Sequence, residues 1–169
     1  GVTIRWTIAG TSLGPLLIAA TDKGLCRVSF DEDALALAAR FPRATIEPGG
    51  AALAALAARV VAAVESPERD HDLPLDVRGT AFQEGVWQAL RAIPPGETRS
   101  YAELAAIAGN ARAVRAAGTA CGANPVAVVI PCHRAQRADG SAGGYAYGLE
   151  RKRILQEREE SGTAPARRG

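Results

Sequence analysis

The sequence lacks methionine altogether and has only three cysteines, two histidines and few aromatic side chains. An odd number of cysteines without a CxxC pair argues against a disulfide framework and against a cysteine-built zinc site. No apolar run approaches membrane-spanning length, and no charged-then-apolar leader begins the chain. We therefore expect a soluble intracellular protein with no membrane partner and no metal. Because position 1 is Gly1, we expect a processed end, a cloning remnant or the edge of a longer protein.

Acidic residues are also missing from one internal stretch, between Leu104 and Ala138. The net charge is only +2, but residues 1–80 carry −2 and residues 81–169 carry +4. The acid-free stretch contains Arg112, Arg115, Arg134 and Arg137. Such a stretch fits a surface that faces an anion such as nucleic acid, although an ordinary solvated face is the alternative.

Residues 1–79 predict a domain in which antiparallel strands are followed by helices. Apolar residues alternate in three segments that glycine- and proline-containing turns separate, namely 2–8, 16–20 and 25–30. Two alanine-rich segments have apolar positions at helical spacing, 31–40 and 50–65. Residues 66–79 are polar and contain proline, so we expect a connection there, with a short strand over 73–77.

Residues 80–169 predict a second, mostly helical domain. Thr80 with Gln83, and Ser100 with Glu103, have the spacing of capping boxes, which mark two helix starts. The predicted helices begin after Thr80 and end before Pro94, and then cover 101–108, about 111–121 and 149–160. We expect residues 161–169 to be a frayed tail.

The second and third of these helices are short and joined by a glycine-containing turn, which is the outline of a helix-turn-helix. In the third helix the spacing predicts a buried stripe of Val114, Ala117, Gly118 and Cys121. It predicts an outward face with Arg112, Arg115 and Thr119. Small neighbours such as Ala116 would let this helix approach a nucleic-acid groove. The same pattern also suits an ordinary α-rich domain.

Cys132 follows residues 126–130, which predict a strand, and stands beside His133 and Arg134. A cysteine near positive charge has a lowered thiol pKa, as a nucleophile needs, whereas a buried thiol is the plain alternative. Adjacent side chains of an extended chain point to opposite sides, so His133 would need a turn or a water to reach the thiol. Glu159, on a partly inward stripe of the last helix, is a candidate to orient His133; otherwise it is a surface glutamate.

The segment IPCHR at 130–134, preceded by ANPVAVV and followed by RADGSAGGYAYGLERK, resembles the active-site block of the O6-alkylguanine-DNA alkyltransferases. The resemblance covers residues 80–160 closely and residues 1–79 loosely, and is greatest to the C-terminal half of bacterial Ada proteins or to a free-standing Ogt-type enzyme. It implies an α+β protein. An N-terminal ribonuclease-H-like domain with an antiparallel sheet would occupy residues 1–79, and a winged-helix-like domain with a helix-turn-helix residues 80–169.

The resemblance further implies DNA repair in the bacterial cytoplasm by a monomer without a cofactor. The partner would be double-stranded DNA containing O6-alkylguanine, with O4-methylthymine as a further substrate to test. The base would flip out of the duplex and pass its alkyl group irreversibly to Cys132. In this reading His133 deprotonates the thiol through water, Glu159 orients His133, and Tyr101 supports flipping and donates a proton.

Other positions receive roles from the same resemblance. Arg115 would enter the base stack in place of the flipped nucleotide, and Asn124 would lock the turn between the recognition helix and the strand that leads to Cys132. The remaining DNA-facing residues would be Arg112, Thr119 and Ala116. The guanine pocket and its support would involve Tyr145, Ala135, Ala146 and Arg134. Two alternatives stay open, a helix-turn-helix regulator of the Ada type and a cysteine hydrolase, while the role of Cys121 is undefined.

Overall fold

The computed structural model describes residues 1–163, which fall into two compact units. The first unit comprises residues 1–65, 71–77 and 125–129; the second comprises 66–70, 78–124 and the described chain from Ile130 onward. Because these segments interleave, the division into domains 1–79 and 80–169 stays a prediction. The expectation of a frayed tail is wrong for residues 161–163, which continue the last helix, and its remainder, 164–169, lies outside the described residues.

A four-stranded sheet forms the first unit, in the order β3-β2-β1-β4. Its strands are β1 (Thr3–Ala9), β2 (Leu16–Ala20), β3 (Leu25–Phe30) and β4 (Thr45–Pro48). The predicted antiparallel hairpins β1–β2 and β2–β3 are confirmed. Strand β4 was not predicted and pairs in parallel with β1, so the sheet is mixed. Four residues that end in proline are too short to show an alternation.

Two helices accompany this sheet, α1 (Ala34–Arg40) and α2 (Ala51–Glu65). The Asp33 side chain accepts a hydrogen bond from the Ala36 N–H and so caps α1. The core packs β1, β2, β3 and α1 together through Ile4, Leu17, Ala19, Cys26 and Leu37. Cys26 is therefore a packing residue, as predicted. The expected strand over 73–77 is reduced to one bridge, between Leu75 and Leu25.

The second unit contains the helices α3 (Ala81–Arg91), α4 (Tyr101–Ile107), α5 (Val114–Gly122) and α6 (Leu149–Thr163). Both predicted capping boxes are formed, at Thr80 and at Ser100. Two short strands, β5 (Arg99–Ser100) and β6 (Ala135–Gln136), pair in parallel. Among the helices of residues 1–163, none has both the length and the apolar character needed to cross a bilayer.

Helices α4 and α5 pack against each other and against α3, in the arrangement expected of a helix-turn-helix. The Trp87 Nε1–H of α3 donates to the Ala120 carbonyl of α5 at 2.9 Å and fixes this packing. Arg112, Arg115 and Thr119 are exposed as predicted, but Arg112 lies in the turn before α5 and not on the helix, which begins only at Val114. The buried stripe is confirmed for Ala117 and Cys121 only. Val114, the first residue of α5, is 40% exposed and Gly118 is half-buried, because both line a cavity and not the packed core.

The predicted strand over residues 126–130 is wrong. Val126 makes a single bridge to Val28, and the Val129 N–H then donates to the Ala127 carbonyl at 2.8 Å. This bond closes a γ-turn around Val128, whose φ of 69° lies in the left-handed region that β-branched residues rarely adopt. This run of apolar residues therefore forms a buried turn. An apolar run predicts burial, but it does not distinguish a buried strand from a buried turn.

We predict that Ser100→Ala lowers the free energy of unfolding by about 1 kcal/mol, because the Glu103 N–H loses its acceptor at the start of α4. Ser100→Thr keeps a hydroxyl acceptor and should lose little. Urea unfolding followed by circular dichroism measures both variants. Equal stability of the alanine and threonine variants would contradict a capping role.

Candidate active site

A cavity of about 760 Å³ lies in the second unit, between α4, α5 and the chain that follows the short turn at Cys132. Residues far apart in the sequence meet at its wall. The lining consists of Tyr101, Val114, Arg115, Gly118, Thr119, Cys121, Gly122, Cys132, Arg137, Gly144, Tyr145 and Ala146. The cavity thus joins the predicted nucleophile to the outward face of the helix-turn-helix.

Cys132 is aimed at the cavity by a tight turn. Pro131 has φ −82° and ψ 67°, and the Cys132 N–H donates to the Ile130 carbonyl at 2.8 Å, which is an inverse γ-turn. The buried Asn124 side chain, just past α5, donates to the same carbonyl at 2.7 Å and to Cys132 Sγ at 3.2 Å. Asn124 therefore holds both the turn and the thiol.

The Cys132 thiol is buried, with 5% of the residue exposed. Burial raises the pKa of Cys132, against the smaller lowering effects of the Asn124 hydrogen bond and the Lys152 charge. The expectation of a lowered thiol pKa is therefore wrong for the resting protein, because loss of hydration outweighs nearby positive charge. A reaction at this sulfur needs a base that removes the proton as the sulfur attacks.

The Glu159 carboxylate, on α6, meets two side chains of the turn at Cys132 in the interior of the unit. Its Oε2 lies 2.8 Å from His133 Nε2 and accepts a hydrogen bond from Arg134 Nη2 at 2.6 Å. Arg134 Nε also donates to Oε2, at 2.9 Å, and its Nη1 donates to the Ile93 carbonyl at 2.6 Å. His133 and Glu159 are 0% and 1% exposed.

The charges of this cluster fix which histidine nitrogen can act as a base. Burial lowers the pKa of His133, so the imidazole is neutral near pH 7. Burial alone would raise the pKa of Glu159, but hydrogen bonds from His133 and Arg134, together with the Arg134 charge, lower it. With a neutral histidine, the Arg134 guanidinium is the cation that keeps the carboxylate ionised. Nε2 then carries the proton that it donates to Glu159, which leaves Nδ1 unprotonated.

His133 Nδ1 is buried and has no hydrogen-bond partner within residues 1–163. Residues Cys132–Arg134 form a single 3₁₀ turn, so the opposite-sides rule of an extended chain does not apply to them. Even so, Nδ1 makes no direct bond to the thiol. A water between His133 and Cys132, expected from the sequence, is therefore still needed. The reason is that Nδ1 forms no hydrogen bond to the thiol within this turn, and not that the two side chains point to opposite sides of an extended chain.

Tyr101 begins α4 and reaches the cavity wall beside a glycine-rich loop. Gly143 has φ 69°, and a Cβ there would come 2.6 Å from the Tyr101 hydroxyl oxygen, so glycine is required by both conformation and space. Burial raises the pKa of Tyr101, while a hydrogen bond from the Gly144 backbone opposes that rise. The phenol is therefore a protonated group held at the cavity.

Lys152 is a functional candidate that the sequence reasoning did not select. It is 1% exposed, and its Nζ donates to the carbonyl oxygens of Ala142 and of Gly144, the latter at 3.1 Å. It thereby holds the loop that carries Tyr145 to the cavity. The available signal was its place seven residues before Glu159, on the same buried stripe of α6 as Leu155.

The other predicted residues divide into two groups. Those at the cavity are Arg115, Thr119, Tyr145 and Ala146, and those outside its lining are Arg112, Ala116, Ala135 and Arg134. Ala135 is buried in β6, and Arg134 supports Glu159. The lining also includes Arg137, which had no assigned role, and Cys121, whose pKa burial raises to about 12. Cys121 is thus a protonated thiol beside the nucleophile.

Comparison with known proteins places this arrangement in a family. Residues 81–161 match the family model "6-O-methylguanine DNA methyltransferase, DNA binding domain", and residues 4–77 match the ribonuclease-like domain of the same name. A methylated-DNA--protein-cysteine methyltransferase of Methanosarcina barkeri is 40% identical over 157 residues, which are 92% of this chain and 97% of that protein. The chain belongs to the 6-O-methylguanine DNA methyltransferase family.

Longer relatives and solved structures agree with this family membership. The regulatory protein ada of Salmonella typhimurium is 46% identical over 162 residues, which are 94% of this chain. The chain spans only 46% of that relative's length. The Mycobacterium tuberculosis OGT, solved in complex with DNA, is 37% identical with a TM-score of 0.76, and the match covers 95% of this chain and 94% of that one. The mixed α+β fold predicted from the sequence is confirmed.

We predict that lowering the pH reduces the free energy of unfolding, because His133 is buried in its neutral form. Below about pH 6.5 the unfolded chain takes up a proton at this histidine while the folded chain does not, since burial lowers its pKa. The unfolded state then binds more protons, so stability falls with falling pH, by up to about 1.4 kcal/mol per pH unit for one group. Glu159, with its lowered pKa, adds to the loss below about pH 4.5.

Urea unfolding at pH 7.5, 6.5 and 5.5 measures this slope. His133→Gln should flatten it, whatever its effect on stability at pH 7.5. His71→Gln removes the other of the two histidines of the chain and is the control for the substitution itself, so the slope of His133→Gln is compared with the slope of this variant. An unchanged slope in His133→Gln would contradict a neutral buried imidazole.

Proposed function

We propose that this protein repairs O6-alkylguanine in duplex DNA by moving the alkyl group to its own Cys132. The observation that carries the proposal is a buried thiol at the wall of a cavity beside the helix-turn-helix, with the His133–Glu159 pair behind it. Membership of the 6-O-methylguanine DNA methyltransferase family supports the same chemistry. The chain spans about half the length of its longer relatives. The proposal includes that it acts in the bacterial cytoplasm, as a monomer and without a cofactor.

The reaction is a displacement at carbon. Cys132 Sγ forms a bond to the alkyl carbon as the bond from that carbon to guanine O6 breaks, and the restored guanine leaves. The thiol proton passes through a water to His133 Nδ1, the nitrogen that its hydrogen bond to Glu159 leaves unprotonated. Tyr101 donates a proton to the departing purine. Because the thioether is stable, each molecule acts once.

The guanine must leave the base stack to reach this thiol. A base within a duplex cannot present its O6 substituent to a buried sulfur, and extrusion costs a few kcal/mol. Arg115 is exposed on α5 and lines the cavity, so it is placed to fill the gap in the stack. Arg112, Thr119 and Ala116, exposed on or beside the same helix, would contact the DNA around it.

The flipped base would lie against Tyr145 and Ala146, with Cys132 at its O6 edge. Asn124 would keep the turn at Cys132 in place, and Ala135 would support it from β6. Arg134 would not contact the base. It supports His133 indirectly, because its hydrogen bonds keep Glu159 ionised. Whether O4-methylthymine is also accepted depends on the fit of a pyrimidine in the same cavity.

The two alternatives have less support. A cysteine hydrolase would use a direct bond between thiol and imidazole, and His133 Nδ1 makes none within residues 1–163. A helix-turn-helix regulator of the Ada type would leave the buried thiol and the cluster behind it without a use. We therefore favour direct repair.

We predict that duplex DNA containing O6-methylguanine adds one methyl group to this protein, on Cys132, once per molecule. Mass spectrometry of the intact protein and of its peptides measures the adduct. Cys132→Ser should remove it, and Cys26→Ala, which changes a core thiol of the first unit, should not. An absent adduct, or one that is released and re-formed, would refute the proposed function.

We predict that Arg115→Ala slows methyl transfer from duplex DNA at least about tenfold, because a stacked side chain contributes about 1–3 kcal/mol. Reaction with the free base O6-benzylguanine should change less than about twofold, since no stack has to be opened. Single-turnover rates with both substrates test this. Equal losses with the two substrates would exclude a role of Arg115 in base flipping.

A further inference from the structure

Arg137 is a cavity residue to which neither the family comparison nor the proposed chemistry gives a role. It lines the same cavity as Arg115 and Cys132 but comes from the segment after β6, not from the helix-turn-helix. Its side chain is exposed. It therefore places a second guanidinium at the opening of the cavity, on a different element from the first.

The pairing of β5 with β6 explains this position. The strands are parallel, with Ser100 opposite Gln136, so the next residues along each strand, Tyr101 and Arg137, leave the sheet at the same end. The chain then turns back: the Arg137 N–H donates to the Ser141 carbonyl, and the Gly140 N–H donates to the Arg137 carbonyl, both at 3.0 Å. The backbone of Arg137 is thus fixed beside Tyr101 while its side chain remains in solvent.

The charges around Arg137 leave its guanidinium available for an anion. No carboxylate lines the cavity, and within residues 1–163 the guanidinium forms no hydrogen bond or ion pair. Asp139 lies in the same turn, but its Oδ1 accepts hydrogen bonds from the N–H and the hydroxyl of Ser141. Asp139 therefore neutralises Arg137 only from a distance and through solvent.

We propose that Arg137 binds a DNA backbone phosphate that flanks the flipped nucleotide. This inference rests on the proposed function. When a base enters the cavity its charged phosphates must stay at the opening, because a phosphate loses too much hydration inside. Of the two arginines at this opening, Arg115 is used by the base stack, whereas Arg137 stands beside Tyr101 with a free planar donor. A guanidinium suits a phosphate through paired, charge-assisted hydrogen bonds.

A phosphate contact has a signature that distinguishes it from an effect on the chemistry. Each neutralised phosphate contributes about 0.9 to the slope of log affinity against log salt. Arg137→Gln should therefore reduce the steepness of that slope by about 1 and slow methyl transfer from duplex DNA about three- to tenfold. Arg137→Lys should keep most of the slope. Transfer from free O6-benzylguanine should change less than about twofold.

The experiment compares the parent protein, Arg137→Gln, Arg137→Lys and Arg91→Gln with duplex DNA that contains one O6-methylguanine, between 50 and 200 mM salt. Arg91 is exposed on α3 and outside the cavity, so it controls for the loss of one charge. In a second arm, a neutral methylphosphonate replaces the phosphate on either side of the lesion. At one of the two positions, the difference between the parent protein and Arg137→Gln should disappear.

The outcomes distinguish failure of the phosphate contact from failure of the proposed function. If the parent protein methylates itself but Arg137→Gln has the parent's salt slope, or loses no more than Arg91→Gln, the phosphate contact is refuted. If Arg137→Gln slows the free base as much as DNA, Arg137 acts on Tyr101 and not on phosphate, and the proposal fails. If the parent protein reacts with neither substrate, it is the proposed function that fails.

Discussion

The arrangement around Cys132 depends on one buried carboxylate, that of Glu159. An ionised group 1% exposed persists only if it is paired and hydrogen-bonded, and His133 and Arg134 both bind it. Removing Arg134 would leave the carboxylate charge without compensation in the interior, and removing His133 would take away one of its hydrogen bonds. The carboxylate therefore connects the last helix of the chain to the turn that carries the thiol, and it also determines which imidazole nitrogen can accept a proton.

Irregular backbone around the cavity is held by side chains and not by regular secondary structure. Asn124 donates to the carbonyl of Ile130 and to the Cys132 sulfur, and Lys152 donates to two carbonyls of the loop before Tyr145. Buried polar groups that are satisfied in this way fix one conformation, because each alternative leaves a donor or acceptor without a partner.

Much of the fold followed from local patterns. The three hairpin strands, both capping boxes and the helix-turn-helix appear where alternation, spacing and turn residues predicted them. The parallel strand β4, the turns around Val128 and Pro131, and the exposure of Val114 did not, because short apolar segments and helix ends carry no period that would distinguish their environments. In the candidate site, the sequence indicated Cys132, His133 and Glu159. Lys152 was not selected although it shares the stripe of Glu159, and Arg137 was noted only as one of four arginines in the acid-free stretch, because neither signal shows that a side chain reaches the cavity.

By itself, the sequence determined the elements and the family, because periodicity, caps and a run such as IPCHR are properties of neighbouring residues. The tertiary structure alone decided the electrostatics of the site. Burial raises the pKa of Cys132, contrary to what its neighbours His133 and Arg134 suggest, and burial also lowers the pKa of His133. The reason is that hydration and charge act over distances in space. Packing removes water from both groups and causes the shifts, whereas Asn124, Lys152 and Glu159, which are separated from the thiol along the chain, only partly oppose them.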